Sequence, residues 1–177
     1  MSMTRLGKYA CLEVERRYLL RALPTALVGR PPYRHVVDHY LPQSRLRLRL
    51  MQSPDGTETV WKLGQKFRAS GQSPTEATIT NIYLDEAEYH LLRGLGGQEI
   101  GKDRYVLPYQ GRRYGIDVFR DALQGLILAE VECETLEDAL QLAVPPFAIA
   151  DVTDDERFTG GHLASLSADG LRHLLPL

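Results

Sequence analysis

Apolar and polar residues alternate with a period of two along most of the chain, the pattern of half-buried strands. Residues 11–20 begin it. Glu13, Glu15 and Arg17 fall on one side of an extended strand, and Leu12, Val14, Arg16 and Tyr18 on the other. Arg21–Pro32 is irregular, punctuated by Pro24, Gly29, Pro31 and Pro32. His35–Leu41 reads as a second strand and Pro42–Ser44 as a turn. The strongest alternation lies at Arg45–Met51, where Arg45, Arg47 and Arg49 interleave with Leu46, Leu48 and Leu50. Ser53–Gly56 has the composition of a hairpin turn. The returning strand runs over about Glu58–Lys66, with Lys62 and Lys66 in phase, and Ala69–Pro74 is a loop before a β-branched strand at Glu76–Leu84.

The period then changes. Asp85 is a helix N-cap with Glu88 three residues on, and Tyr89, Leu91, Leu92 and Leu95 form the apolar stripe. Gly94, Gly96 and Gly97 end that helix. Three more strands follow, roughly Gln98–Pro108, Gly111–Arg120 and Leu126–Glu134. Thr135 caps a short helix at Leu136–Leu142, which Pro145 and Pro146 close. Leu163, Leu166, Leu171, Leu174 and Leu175 predict a terminal helix over about 162–175, a cover for the barrel wall and a candidate dimer face. Residues 1–10 read as a loose start. Several antiparallel strands with short turns and few helices predict a mainly β fold, a barrel or a curved sheet.

With 177 residues the chain is expected to form one domain over 1–177. A net charge of −2 gives no general attraction to nucleic acid or to a membrane surface, so neither is an expected partner. No early apolar run resembles a signal peptide, and no stretch of about 18 apolar residues could span a bilayer. Cys11 and Cys133 alone make neither a disulfide framework nor a zinc site, and a reducing cytoplasm fits. The five histidines show no ligand spacing.

Charge is segregated by strand. Arginines line one strand, while Glu13 and Glu15, then Glu130 and Glu132, line two others. Three arginines on one strand face repel unless carboxylates or an anion neutralise them. Two arrangements satisfy this pattern: a solvated sheet whose strands pair acid to base, or charged faces turned inward around a polar lumen. The second would suit a polyanion bound with a divalent cation, since carboxylates hold Mg²⁺ or Mn²⁺ and guanidinium forks grip phosphate. Glu13 and Glu15 sit roughly 6–7 Å apart on an extended strand, within reach of one such cation.

The ordered set of these features resembles a known family. Glu13-Val14-Glu15-Arg16-Arg17 is similar to the Glu-x-Glu-x-Lys signature of the CYTH domain, whose members are the triphosphate tunnel metalloenzymes. The Arg47-x-Arg49 strand, Lys62, Lys102-Asp103-Arg104, Asp117-Val118-Phe119, Glu130-Val131-Glu132 and the segment Val152–Phe158 follow in the family's order. The likeness covers about residues 11–165. It implies a closed tunnel of eight antiparallel strands with helices outside, and metal-dependent action on triphosphates. By the same resemblance, Glu13, Glu15, Asp117, Glu130 and Glu132 would be metal ligands for Mg²⁺ or Mn²⁺. Arg17, Glu130 and Glu132 would carry the chemistry. Arg47, Arg49, Lys62, Lys102 and Arg104 would bind phosphate together with Arg17. Strand phase adds Arg45, Lys66 and Arg113, and the late motif adds Arg157.

The expected activity is hydrolysis of inorganic triphosphate. Nucleotide triphosphatase, adenylyl cyclase and a non-catalytic polyphosphate binder are the competing readings within the resemblance. Three positions depart from the family pattern. Arg17 stands for the signature lysine, which exchanges a compact ammonium for a planar fork. The middle strand, which often has two acids, has Glu76 and then Thr78, and Asp151 begins the late motif in place of Glu.

Overall fold

The computed structural model describes residues 8–69 and 71–175, so most of the expected loose start lies outside the described residues. Nine strands form: β1 Cys11–Leu19, β2 Arg34–Tyr40, β3 Leu46–Gln52, β4 Thr59–Phe67, β5 Glu76–Leu84, β6 Gln98–Tyr109, β7 Arg112–Phe119, β8 Ile127–Glu132 and β9 Ala150–Asp151. The helices are α1 Glu86–Arg93, α2 Leu136–Gln141, α3 Gly160–Ala164 and α4 Ala168–Leu174. Strand order is β5-β4-β3-β2-β6-β7-β8-β1, all antiparallel, and β1 pairs back onto β5. Eight strands therefore close into a barrel, and β9 is a two-residue addition to β1.

The alternation read from the sequence sets which face turns in. Cross-strand partners share a face, so Arg49 lies beside Asp38 and Lys62, Arg104 beside Asp117, and Arg17 beside Glu130. The charged phase faces the lumen and the apolar phase faces out. Outside, Tyr18, Ile116, Ala129 and Val131 pack under Phe147 and Leu142, next to α2. Tyr89 of α1 packs with Leu48, Trp61 and Leu63 on the outer face of β3 and β4. Asp85 holds α1 in place through a complete capping box with Glu88. The β3–β4 turn is held by Asp55, which accepts from Thr57 N, and Gly56 supplies the left-handed backbone there (φ 72°).

The single terminal helix expected over 162–175 is two short helices. The first ends at Ser165, and Ser167 caps the second by accepting from Gly170 N, because serine competes for backbone bonds in a helix interior and favours a cap. Nor do they lie on the wall. Leu163 and Leu171 join Phe158, Leu19, Ile100, Phe119 and Leu128 in one cluster. The last four belong to the inward phase of their strands, so the tail covers one end of the barrel. Gly160 permits this closeness, since a Cβ there would collide with the Tyr40 hydroxyl. No helix among the described residues is long and apolar enough to cross a membrane.

Candidate active site

The lumen is a cavity of about 1160 Å³ whose lining includes Glu13, Glu15, Arg17, Arg45, Arg47, Arg49, Lys62, Lys66, Lys102, Arg104, Arg113, Asp117, Glu130 and Glu132. Every site residue expected from the sequence is there except Arg157. That side chain is 61% exposed and pairs with Asp155, pointing away from the cavity although Glu156 and Phe158 on either side of it line the cavity. Asp38 was not anticipated. It is a lone acid in a strand of valine, histidine and tyrosine, and its signal was its phase: Val36, Asp38 and Tyr40 share the face that meets the arginine strand.

The side chains divide into an acidic wall and a cationic wall. On β1 and β8, Glu13, Glu15, Glu130 and Glu132 lie in neighbouring registers. Arg17 runs between them, with Nη2 donating to Glu15 at 2.9 Å, Nε to Glu130 at 3.1 Å and Nη1 to the Phe158 carbonyl at 3.2 Å. Lys66 reaches across from β4, its Nζ 2.5 Å from Glu13 and 2.8 Å from Glu15. Glu132 joins no ion pair among the described residues.

On the other side, Asp117 is 1% exposed and both its oxygens are engaged. Arg104 forks onto it with Nε and Nη2 at 2.6 Å each, and Lys102 donates at 2.6 Å. Arg104 also reaches Glu130 at 3.0 Å, linking the two walls. Asp38 receives a similar fork from Arg49, at 2.5 and 2.8 Å. Arg45, Lys62 and Arg113 pair with no carboxylate among the described residues. Arg45 and Lys62 instead lie over Phe67 and Tyr83 at 4.3 and 4.8 Å from the ring centres. These are the cations most available to an incoming anion.

The middle strand β5 corrects one reading of the sequence. Glu76 and Thr78 are on its outer face, Glu76 opposite Val14 and bonded to Ser73 N at 2.9 Å. The inward positions are Ala77, Ile79 and Asn81, opposite Glu13, Lys66 and Gly64. The β5 wall of the tunnel is therefore uncharged along these positions. Simple phase counting from the turn could have found this, since Ile79 and Asn81 alternate with Thr78 and Thr80.

Burial works against every charge here, and the neighbours decide the outcome. Burial would raise Glu130, but Arg17 and Arg104 outweigh it and hold the carboxyl well below the usual range. Burial raises Glu15, aided by Glu130, and Lys66 and Arg17 do not offset it. Asp117 and Asp38 are pulled down, against burial, by Lys102 and Arg104 and by Arg49 and Arg47 respectively. Burial holds the Lys102 ammonium below its usual value despite Asp117. Two neighbouring carboxylates, Glu15 and Glu130, are thus driven in opposite directions by their surroundings.

Among the described residues no group of three His, Cys, Asp or Glu side chains is already drawn together as a metal cage. The donor chemistry nevertheless fits a hard divalent cation. Glu13, Glu15, Glu130 and Glu132 offer only carboxylate oxygens, and Glu13 Oε2 is buried without a hydrogen bond although Lys66 lies close to it. Asp117, the fifth expected ligand, is engaged by Lys102 and Arg104 through three hydrogen bonds, with Oδ1 accepting only one of them.

No family model matches the chain. It is 32% identical over 158 residues to an inorganic triphosphatase of Nitrosomonas europaea, a match covering 86% of this chain and 96% of that protein. The crystal structure of the inorganic triphosphatase NE1496 superimposes with a TM-score of 0.57 at 29% identity, covering 86% of this chain and 93% of that one. A second crystal structure of NE1496 gives 0.58 at 28% identity, with 88% and 99% covered. A closed eight-stranded tunnel, an acidic pair at each of two adjacent strands and a relative this similar over nearly its whole length agree, and the chain belongs to the CYTH family of triphosphate tunnel metalloenzymes.

Proposed function

We propose that this protein is a divalent-metal-dependent triphosphatase that converts inorganic triphosphate and water to pyrophosphate and phosphate. The observation that carries it is the pairing of a cationic wall with an acidic wall inside one closed cavity, in a chain 32% identical to an inorganic triphosphatase. Arg45, Arg47, Lys62 and Arg113 bind the phosphate oxygens from the cationic side. Arg49, Lys102 and Arg104, held by Asp38 and Asp117, orient the chain of phosphates and stabilise charge as the terminal P–O bond breaks. A Mg²⁺ or Mn²⁺ ion held by Glu13, Glu15, Glu130 and Glu132 would supply charge neutralisation on the phosphate oxygens. Glu130, kept ionised by its cations, and Glu132 accept the proton of the attacking water. Arg17 fixes Glu130 and Glu15 relative to one another.

A binding-only tunnel is the second reading, and one observation favours it. Arg17 spends all three of its nitrogens on protein acceptors, where a lysine would leave its neighbours more freedom. Phosphate release from inorganic triphosphate, measured in EDTA and with added Mg²⁺ or Mn²⁺, separates the two. Metal-dependent release supports the triphosphatase. Tight triphosphate binding with no release above blank replaces it with the binder.

A further inference from the structure

We propose that Asp38 is a positioning residue for substrate, holding Arg49, Arg47 and Lys102 in the arrangement with which the tunnel grips phosphate. The inference rests on the triphosphate reading above. Asp38 points inward from β2 with its side chain 2% exposed. The register sets Arg49 of β3 on one side of it and Ile100 of β6 on the other. Arg49 closes a fork on it, Nε at 2.5 Å and Nη2 at 2.8 Å. The same carboxylate lies 3.5 Å from Arg47 Nε and 3.7 Å from Lys102 Nζ. Lys102 continues to Asp117 at 2.6 Å, and Asp117 holds Arg104.

Two buried acids and four cations therefore form one connected network across β2, β3, β6 and β7. The cations outnumber the acids by two, and that surplus lines a cavity suited to a polyanion. Asp38 is the anchor of the β3 side. Without it Arg47 and Arg49 lose their carboxylate, and the remaining acids, Asp117 and Glu130, serve Lys102 and Arg104. Repulsion among the cations spreads the guanidinium groups, which must then be ordered at the moment phosphate arrives, and that cost is subtracted from binding. Glu130 and Glu132 make no direct contact with Asp38, and the change reaches Glu130 only through Lys102, Asp117 and Arg104.

Asp38→Asn keeps the shape and removes the charge. In the full chain we expect KM for triphosphate, and its Kd by calorimetry in EDTA, to rise roughly tenfold or more, with a smaller fall in kcat because Arg49 and Lys102 also face the breaking bond. Mn²⁺ affinity without triphosphate stays unchanged. A folded Asp38→Asn protein with wild-type Kd and KM overturns the proposal and leaves Asp38 a purely structural ion. Tighter binding overturns it too, since Asp38 would then compete with phosphate for the arginines. If Asp38→Asn does not fold, Asp38→Glu makes the test, because it keeps the charge and, with a longer stem, displaces the fork. A similar loss of triphosphate affinity supports the proposal and an unchanged Kd refutes it. Wild-type protein that binds triphosphate without hydrolysing it removes the triphosphatase reading alone, and calorimetry still decides Asp38. Wild-type protein that does not bind triphosphate removes both.

Discussion

Replacing Arg17 by Met removes the cation between Glu15 and Glu130 while keeping an unbranched stem of similar length. The side chain is 13% exposed and contacts Glu15, Glu130 and the Phe158 carbonyl at 2.9, 3.1 and 3.2 Å. Removing one partner of a buried ion pair costs roughly 3–5 kcal/mol. Glu130 keeps 27% exposure and its bond to Arg104, and Lys66 still faces Glu15, so the lower end of that range applies. About 3 kcal/mol corresponds to a fall in Tm of roughly 6–12 °C for a domain of this size. That fall should appear in EDTA. A divalent cation then takes over the missing positive charge, and at about 100 times its Kd it returns about 2.7 kcal/mol. Wild-type protein gains less, because an entering cation must first displace Arg17. Thermal unfolding in EDTA and across a Mn²⁺ or Mg²⁺ titration makes the comparison. A variant as stable as wild type in EDTA would show that Arg17 does not neutralise the pair. A destabilised variant indifferent to metal would refute the acidic wall as a cation site.

Glu130→Gln should lower kcat for triphosphate by about two orders of magnitude with a smaller change in KM, and a near-normal rate of phosphate release would remove Glu130 from the proton-handling role. Arg157→Ala should leave KM unaltered, since its side chain lies outside the cavity, and a rise in KM would bring Arg157 back into the site. Gly160→Ala forces the Tyr40 hydroxyl aside and should cost about 1–3 kcal/mol, read from urea denaturation. Asp38, Asp117 and Glu130, held below their unfolded values, each add stability that is present above about pH 4 and lost as pH falls through their folded values. Glu15, held above its unfolded value, acts oppositely, its contribution disappearing as pH rises through the folded value. Three against one, Tm should drop as pH falls below about 4, and a flat profile would contradict the ion-pair network.

Much of this was legible in the residues. Period-two alternation found eight barrel strands within a residue or two of their ends, because each strand has one apolar face that must be buried. The same rule put Arg47 and Arg49, and Glu130 and Glu132, on shared charged faces, but it left a solvated sheet equally open, and the family resemblance pointed inward. Asp38 escaped because its importance depends on which strand lies beside it, and pairing between β2 and β3 is a fact of topology rather than of local pattern. The outward turn of Glu76 and Thr78 escaped because the two were matched to the family's acidic positions without counting phase from β4. The tail helix was misplaced because a leucine stripe reports that a face is buried, not what buries it.

The closing strand β1 has a consequence for how the chain folds. Its residues are among the first in the sequence, yet Arg17 meets Glu130 and Leu19 meets Leu128. The acidic wall therefore does not exist until a loop of more than a hundred residues has closed, and such distant pairing slows folding. During synthesis Glu13 and Glu15 can meet Lys66 once β4 and β5 have emerged, but Glu130 and Glu132 join them only when β8 does. Sheet formation can begin in the β2–β3–β4–β5 hairpins, each joined by a short turn, which carry most of the cations. The arginine strand can thus take shape early, while the acidic wall is complete only when the barrel shuts.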